Sequence, residues 1–211
     1  MAFVSNGTTI LDAGAFSASL GSMVHIKTIT ASSSSTVSFV HGSSSVVLDN
    51  TYPIYLIKVI NAHRSSTGNE QTFTFNLSAD TGSNYNVTKT TTHFYVIHAE
   101  DGTQGNMYYN SSEDIAQGTG FQNLTTASQI GTGNDCCATG ELWIFNPSST
   151  TFVKHFIARF PYMDSRSPQY IYDCFTSGYF NTTSAIDAIQ FKMGSGDIDA
   201  GTFKLYGIKD S

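Results

Sequence analysis

From Gln71 to Ser78 apolar and polar side chains alternate one for one, with Phe73, Phe75 and Leu77 in one set and Thr72, Thr74, Asn76 and Ser78 in the other. A period of two belongs to an extended strand, whose side chains point to opposite faces in turn. Wound on a 3.6-residue helix, the same apolar set would be scattered around the axis. The pattern predicts a strand with one dry face and one wet face. Similar short runs recur along the chain with turn residues between them, and helical periodicity is nearly absent. Further strands are expected at Met23–Thr30, Thr36–Val40, Ser45–Leu48, Ile54–Ile60, His93–His98, Glu141–Asn146, Thr151–Phe160, Ala188–Met193 and Thr202–Ile208. His41-Gly-Ser-Ser has the look of a short hairpin turn, Ser32–Ser35 that of a low-complexity loop, and Gly194-Ser-Gly-Asp that of a turn. Helical hints are confined to Ser111–Gln117 and Thr182–Ile186.

Two of these segments lack a wet face. In Ile54–Ile60 and Glu141–Asn146 apolar residues occupy both sets: Leu142 and Ile144 point one way, Trp143 and Phe145 the other. Such strands need cover on both sides. About ten strands with no Pro-rich or charged linker between them predict an all-β chain, a single jelly-roll-like β-sandwich with short helical pieces. Residues 1–20 form an N-terminal arm or first strand in this reading, and 21–211 form the sandwich. Its inner face is expected to hold Phe73, Phe75, Leu77, Leu142, Ile144, Ile189, Phe191, Met193, Phe203 and Leu205.

Composition supports this and narrows the partners. The chain has 27 Ser, 26 Thr and 18 Gly, is 13% aromatic and only 12% charged, and its 40% hydrophobic content is enough for a sizeable core. A net charge of −6 repels nucleic acid and anionic membrane surfaces. No run approaches the roughly 20 apolar residues of a membrane span. The start, Met1-Ala-Phe-Val-Ser-Asn-Gly, has neither a basic region nor an apolar core for export, so synthesis and retention in a cytosol are expected. Cys136 and Cys137 are adjacent and Cys174 is distant, an odd set that excludes a disulfide scaffold; three free thiols suit a cytosolic origin.

A search for chemistry returns little. His93 and His98 lie five apart, so on a strand they face opposite ways and cannot act as a metal pair. Glu100-Asp101-Gly102 reads as a turn beside His98, not as a general-base cluster. Asp80-Thr-Gly-Ser-Asn84 lacks the Gly and Glu positions of an EF-hand loop and reads as a plain hairpin turn. Nucleophile-elbow, P-loop and dinucleotide motifs are missing, and Asn-x-Ser/Thr sequons at Asn6, Asn76, Asn86, Asn110, Asn123 and Asn181 follow from the composition. The abundant Tyr and Phe fit a packed core better than sugar-stacking platforms. No catalytic residue, cofactor or metal is assigned from the sequence.

Three C-terminal stretches, Gly140–Ile157, Gly178–Met193 and Gly196–Ile208, resemble a family of structural proteins from tailed bacteriophages, of the marine and cyanophage type. Thr51–Asn61 and Asn84–Thr92 extend the resemblance more loosely, while the first 20 or so residues look individual. The resemblance implies a virion component made in the host cytoplasm and not an enzyme. Within that class the expectation is a capsid decoration or cement protein on the major capsid protein, a homo-oligomer with a trimer favoured. The alternative is a tail fibre or other receptor-binding appendage recognising host glycans. Trp143 and Phe145 are the candidate subunit-interface residues, unless the long Ser111–Thr139 segment folds over them.

Overall fold

The computed structural model describes residues 3–5, 8–12, 15–16, 22–65, 72–126 and 130–209. The strands are β1 (Phe3–Ser5), β2 (Thr8–Asp12), β3 (Ala15–Phe16), β4 (Met23–Ser34), β5 (Val37–Val40), β6 (Ile54–Arg64), β7 (Phe73–Ser78) and β8 (Lys89–Ala99). They continue with β9 (Gly105–Tyr109), β10 (Gln122–Asn123), β11 (Ala138–Phe145), β12 (Lys154–Met163), β13 (Tyr170–Phe180), β14 (Ala188–Met193) and β15 (Ile198–Ile208). Strands β4 to β15 form two antiparallel sheets: eight strands in the order β4-β15-β6-β11-β12-β13-β8-β9, and four in the order β10-β7-β14-β5. Twelve strands in two sheets, with the chain crossing repeatedly from one to the other, make the jelly-roll-like sandwich expected from the sequence. Among the described residues, β1 to β3 pair with one another in a three-stranded antiparallel sheet.

All ten residues assigned to the inner face are buried. Their packing is dominated by phenylalanine. Phe73 and Phe191 of the smaller sheet stack at 5.7 Å, and both meet Phe203 of the larger. Phe75 is set edge-on to Phe156 at 5.1 Å.

Several local expectations are corrected. Ser32–Ser34 belong to β4 and pair with β15, because a Ser-rich run at a sheet edge can sustain a ladder that its composition does not advertise. Ser45–Leu48 is not a strand; β5 finds its partner in β14, and only a tight turn with Gly42 N donating to Val46 O remains of the hairpin. The helical hints reduce to one 3₁₀ turn at Ser111–Glu113, and Thr182–Ile186 contains no helix. Asp80–Asn84 is a turn, with the Asp80 carboxylate accepting from the Asn84 backbone and side-chain amides. It is not a hairpin, since the chain leaves β7 there and crosses to β8 in the other sheet. The expected start of β7 at Gln71 lies outside the described residues.

The wet face of β7 is also overturned, because all six of its residues are buried. Asn76 Nδ2 donates to the carbonyls of Tyr85 and Thr119, Thr74 Oγ1 donates to Lys192 O, and Ser78 Oγ donates to Asp80. The loop after β7 and the segment before β10 lie over this face, and Asn76 and Ser78 satisfy loop backbone that would otherwise be buried without partners.

Gly140 shows how tightly the larger sheet is built. A β-carbon there would collide with the backbone carbonyl of Arg159 and the Phe160 ring, at the point where the β6–β11 register slips. Gly140→Ala should destabilise the fold by about 1–3 kcal/mol through overpacking. A denaturant midpoint equal to wild type would show that β12 yields freely.

Candidate functional site

The strongest candidate is the outer face of the eight-stranded sheet. Period two sends Tyr55, Ile57, Leu142 and Ile144 inward, where all are buried, and sends Lys58, Glu141, Trp143 and Phe145 outward. Across the sheet one register row runs Lys58, Glu141, Arg159, Phe175, Phe94, Tyr109. Within it Phe94 and Phe175 stack with centroids 4.9 Å apart and planes 3° off parallel, and the Arg159 guanidinium lies 5.0 Å from the Phe175 ring centre. Arg159 is held there by Asp173, whose carboxylate accepts from Nε at 3.0 Å and from a terminal amino group at 2.6 Å. An exposed pair of this kind adds little to stability, but the forked geometry fixes the guanidinium.

Beside that stack lies a cleft of about 340 Å³ lined by Trp143, Ile157 and Phe175, with Glu141, Arg159 and Ser177 also contributing. Ile157 is half exposed, and Phe94, Val96, Met107, Tyr109 and Ile171 extend the apolar surface outward and towards the sheet edge. Phe145 is half-buried at the end of β11 opposite Ile54, outside the cleft. The structure therefore separates the two candidate interface residues: Trp143 belongs to the cleft and Phe145 to its margin.

The covering segment expected as an alternative goes elsewhere. Residues 110–118 run along β8, Gln122–Asn123 join β7 in the smaller sheet, and Ile130 bridges Asp164 beyond the end of β12. Among the described residues, none of 111–139 lines the cleft. The described part of that chain closes the sandwich edge, and Trp143 faces the outer side half-buried, beside the cleft.

The remaining sequence candidates are dispersed. His93 is buried on the inner side of β8 and His98 is exposed on the outer side, as their odd spacing requires. The Asp101 carboxylate accepts from the Thr103 amide and hydroxyl, which makes it part of the turn. Asn76, in a sequon, is fully buried with its amide consumed. The three thiols are unbridged, and burial pushes all three above the usual cysteine range, Cys174 the furthest, so none is poised as a thiolate. Among the described residues no group of three His, Cys, Asp or Glu side chains is placed to hold a metal ion.

Sequence reasoning missed a second feature, a buried polar layer under β8. Lys89, Thr91 and His93 all point inward and are buried, together with Thr176 and Gln122. Thr91 Oγ1 donates to Gln122 Oε1 at 2.6 Å, His93 Nδ1 meets Thr176 Oγ1 at 2.9 Å, and Gln122 Nε2 donates to Glu113 O. No local pattern marks these residues, since Lys and His on a strand ordinarily face water.

Compared with known proteins, the chain matches no family model, no curated protein and no solved structure.

Proposed function

We propose that this chain is a structural protein of a tailed-phage virion, a decoration or cement protein that binds the major capsid protein as a symmetric oligomer, a trimer by preference. The observation that carries the reading is the partly exposed apolar outer face around Trp143, where Ile157 and Phe94 are exposed and Trp143 is half-buried. An antiparallel sheet facing water normally turns polar residues outward. Here Trp143, Ile157, Phe175 and Phe94 lie side by side on the central strands, with polar groups such as Glu141 and Ser177 among them. A rigid apolar centre with charged groups around it has the composition of a protein–protein interface. The resemblance of the three C-terminal stretches to phage structural proteins supplies the class of partner, and a three-fold assembly suits a capsid lattice.

Trp143→Ala should weaken docking by about 2 kcal/mol, roughly 30-fold, as loss of a buried aromatic anchor does, while the subunit stays folded. Sedimentation of purified protein, alone and with capsids lacking it, reads this directly. A wild-type chain that remains monomeric at micromolar concentration and does not pellet with capsids would remove the reading.

One observation favours a second reading, a receptor-binding appendage. The cleft sets an indole beside a carboxylate, a fixed guanidinium and a hydroxyl, groups that suit a sugar ring. Trp143 is the single tryptophan of the chain, so its fluorescence reports occupancy. Saturable quenching by host surface polysaccharide would favour this reading. A copy number that follows the capsid lattice, and not the few copies of a tail, would favour decoration.

A further inference from the structure

The segment 110–126 is a strap that ties the two sheets together at one edge, and a buried histidine lies beneath it. Leaving β9, the strap continues along β8. Asn110 N donates to His93 O, Thr91 N donates to Ile115 O, and Lys89 and Gly118 exchange backbone bonds in both directions. It then crosses to the other sheet, where Leu124 N donates to Phe73 O and Phe73 N donates to the Thr125 hydroxyl. Two carboxylates secure the first half. Asp114 accepts from the His93 backbone amide at 2.7 Å and from the Tyr109 hydroxyl, and Glu113 accepts from Asn123.

His93 is fully buried at this point. Its Nδ1 meets Thr176 Oγ1, while Nε2 is enclosed and makes no hydrogen bond. A neutral imidazole tolerates this arrangement. An imidazolium requires partners for two donors, and only one nitrogen has one here. We propose that protonation of His93 releases the 110–126 strap, making it an acid-operated latch on the edge of the sandwich.

The groups around the ring set the threshold. On the strap, the carboxylates are Asp114, which favours the proton, and Glu113, which is bonded to Asn123. On its own strand the nearest titratable groups are Tyr95, with ring centres 6.3 Å apart, and Lys89, two inward positions away. Cys174 lies next along β13, Tyr108 and Tyr109 stand on β9, and β7 and β10 contribute no titratable side chain. Burial outweighs the Asp114 charge and lowers the histidine to about 4 from its usual 6.5.

The sign follows. The closed strap binds the proton only below about pH 4, whereas the open strap binds it near 6.5. The latch is fully stable above that upper value and loses stability as pH falls towards 4. Its opening constant should rise roughly 100-fold between pH 7 and pH 4.

Amide hydrogen exchange, corrected for the intrinsic pH dependence, tests this at Ile115 and Gly118 against the β12–β13 ladder. The expected result is loss of strap protection on acidification while the ladder stays protected, and no such loss in His93→Gln, which keeps a hydrogen-bonding side chain without the titration. Strap protection unchanged from pH 7 to 4, equal loss in the variant, or strap and ladder opening together would each overturn the proposal. NMR titration of the His93 ring in the wild-type chain covers a variant that fails to fold. A midpoint near 4 that coincides with strap opening supports the latch, and a midpoint at or above 6 overturns it.

Discussion

Phe73→Ala is expected to lower the stability of the chain by about 3–5 kcal/mol, a large share of the roughly 5–15 kcal/mol that holds a domain folded. Phe73 is fully buried at the centre of the sandwich and touches rings from both sheets: Phe191 at 5.7 Å within its own, Phe160 and Phe203 at 5.6 and 6.1 Å across the core. Truncation removes the transfer free energy of the ring and leaves a void that two hydrogen-bonded ladders cannot collapse to fill. Urea unfolding of the variant measures the loss. Phe152→Ala is the control, since that ring is 70% exposed and its removal should change stability by about 0.5 kcal/mol or less. Similar costs for the two variants would mean that the phenylalanine cluster is not the centre of the core.

The second large effect runs the other way. Lys89→Met should stabilise the chain by about 1–3 kcal/mol at pH 7, because it removes a buried charge that has no counter-ion. Lys89 is fully buried, its ammonium donates to Val87 O at 3.2 Å and lies 5.4 Å from the Phe180 ring centre, and none of the ion pairs among the described residues includes it. Burial lowers its pKa from 10.5 to about 8. Between those values the unfolded chain holds a proton that the folded chain has released, so wild-type stability should rise with pH from 8 to 10.5 and be flat with respect to this group below 8. In the Met variant that alkaline rise should vanish. Unfolding curves at pH 7 and pH 10 decide it: a variant less stable than wild type, or one with an unchanged alkaline rise, would show that the ammonium is better accommodated than its surroundings indicate.

Much of the architecture is legible from spacing alone. The alternation in Phe73–Ser78 and the doubly apolar run around Trp143 place five core residues correctly, Phe73, Phe75, Leu77, Leu142 and Ile144, and put Trp143 and Phe145 on the face opposite the last two. β13 escapes such a reading because both of its faces are mixed. Tyr172, Cys174 and Thr176 point inward while Ile171, Asp173 and Phe175 point outward, so no clean period survives. β9 and β10 are short edge pieces whose existence depends on the partner strand beside them.

What the sequence determined by itself, then, is the strand period and the division of side chains between two faces, since both follow from local backbone geometry. Which faces meet water was decided only by the tertiary structure. The polar face of β7 is covered completely, whereas the apolar outer face of β11 stays half-buried beside a cleft, the reverse of what hydrophobicity alone implies. The reason is that cover comes from distant segments. The chain between β9 and β10 crosses the edge of the sandwich, where its backbone needs the hydrogen bonds that Thr91 and Asn76 provide, and so does not reach Trp143. The same crossing buries Lys89 and His93, and burial in turn sets their protonation, which no pattern of neighbours along the chain could specify.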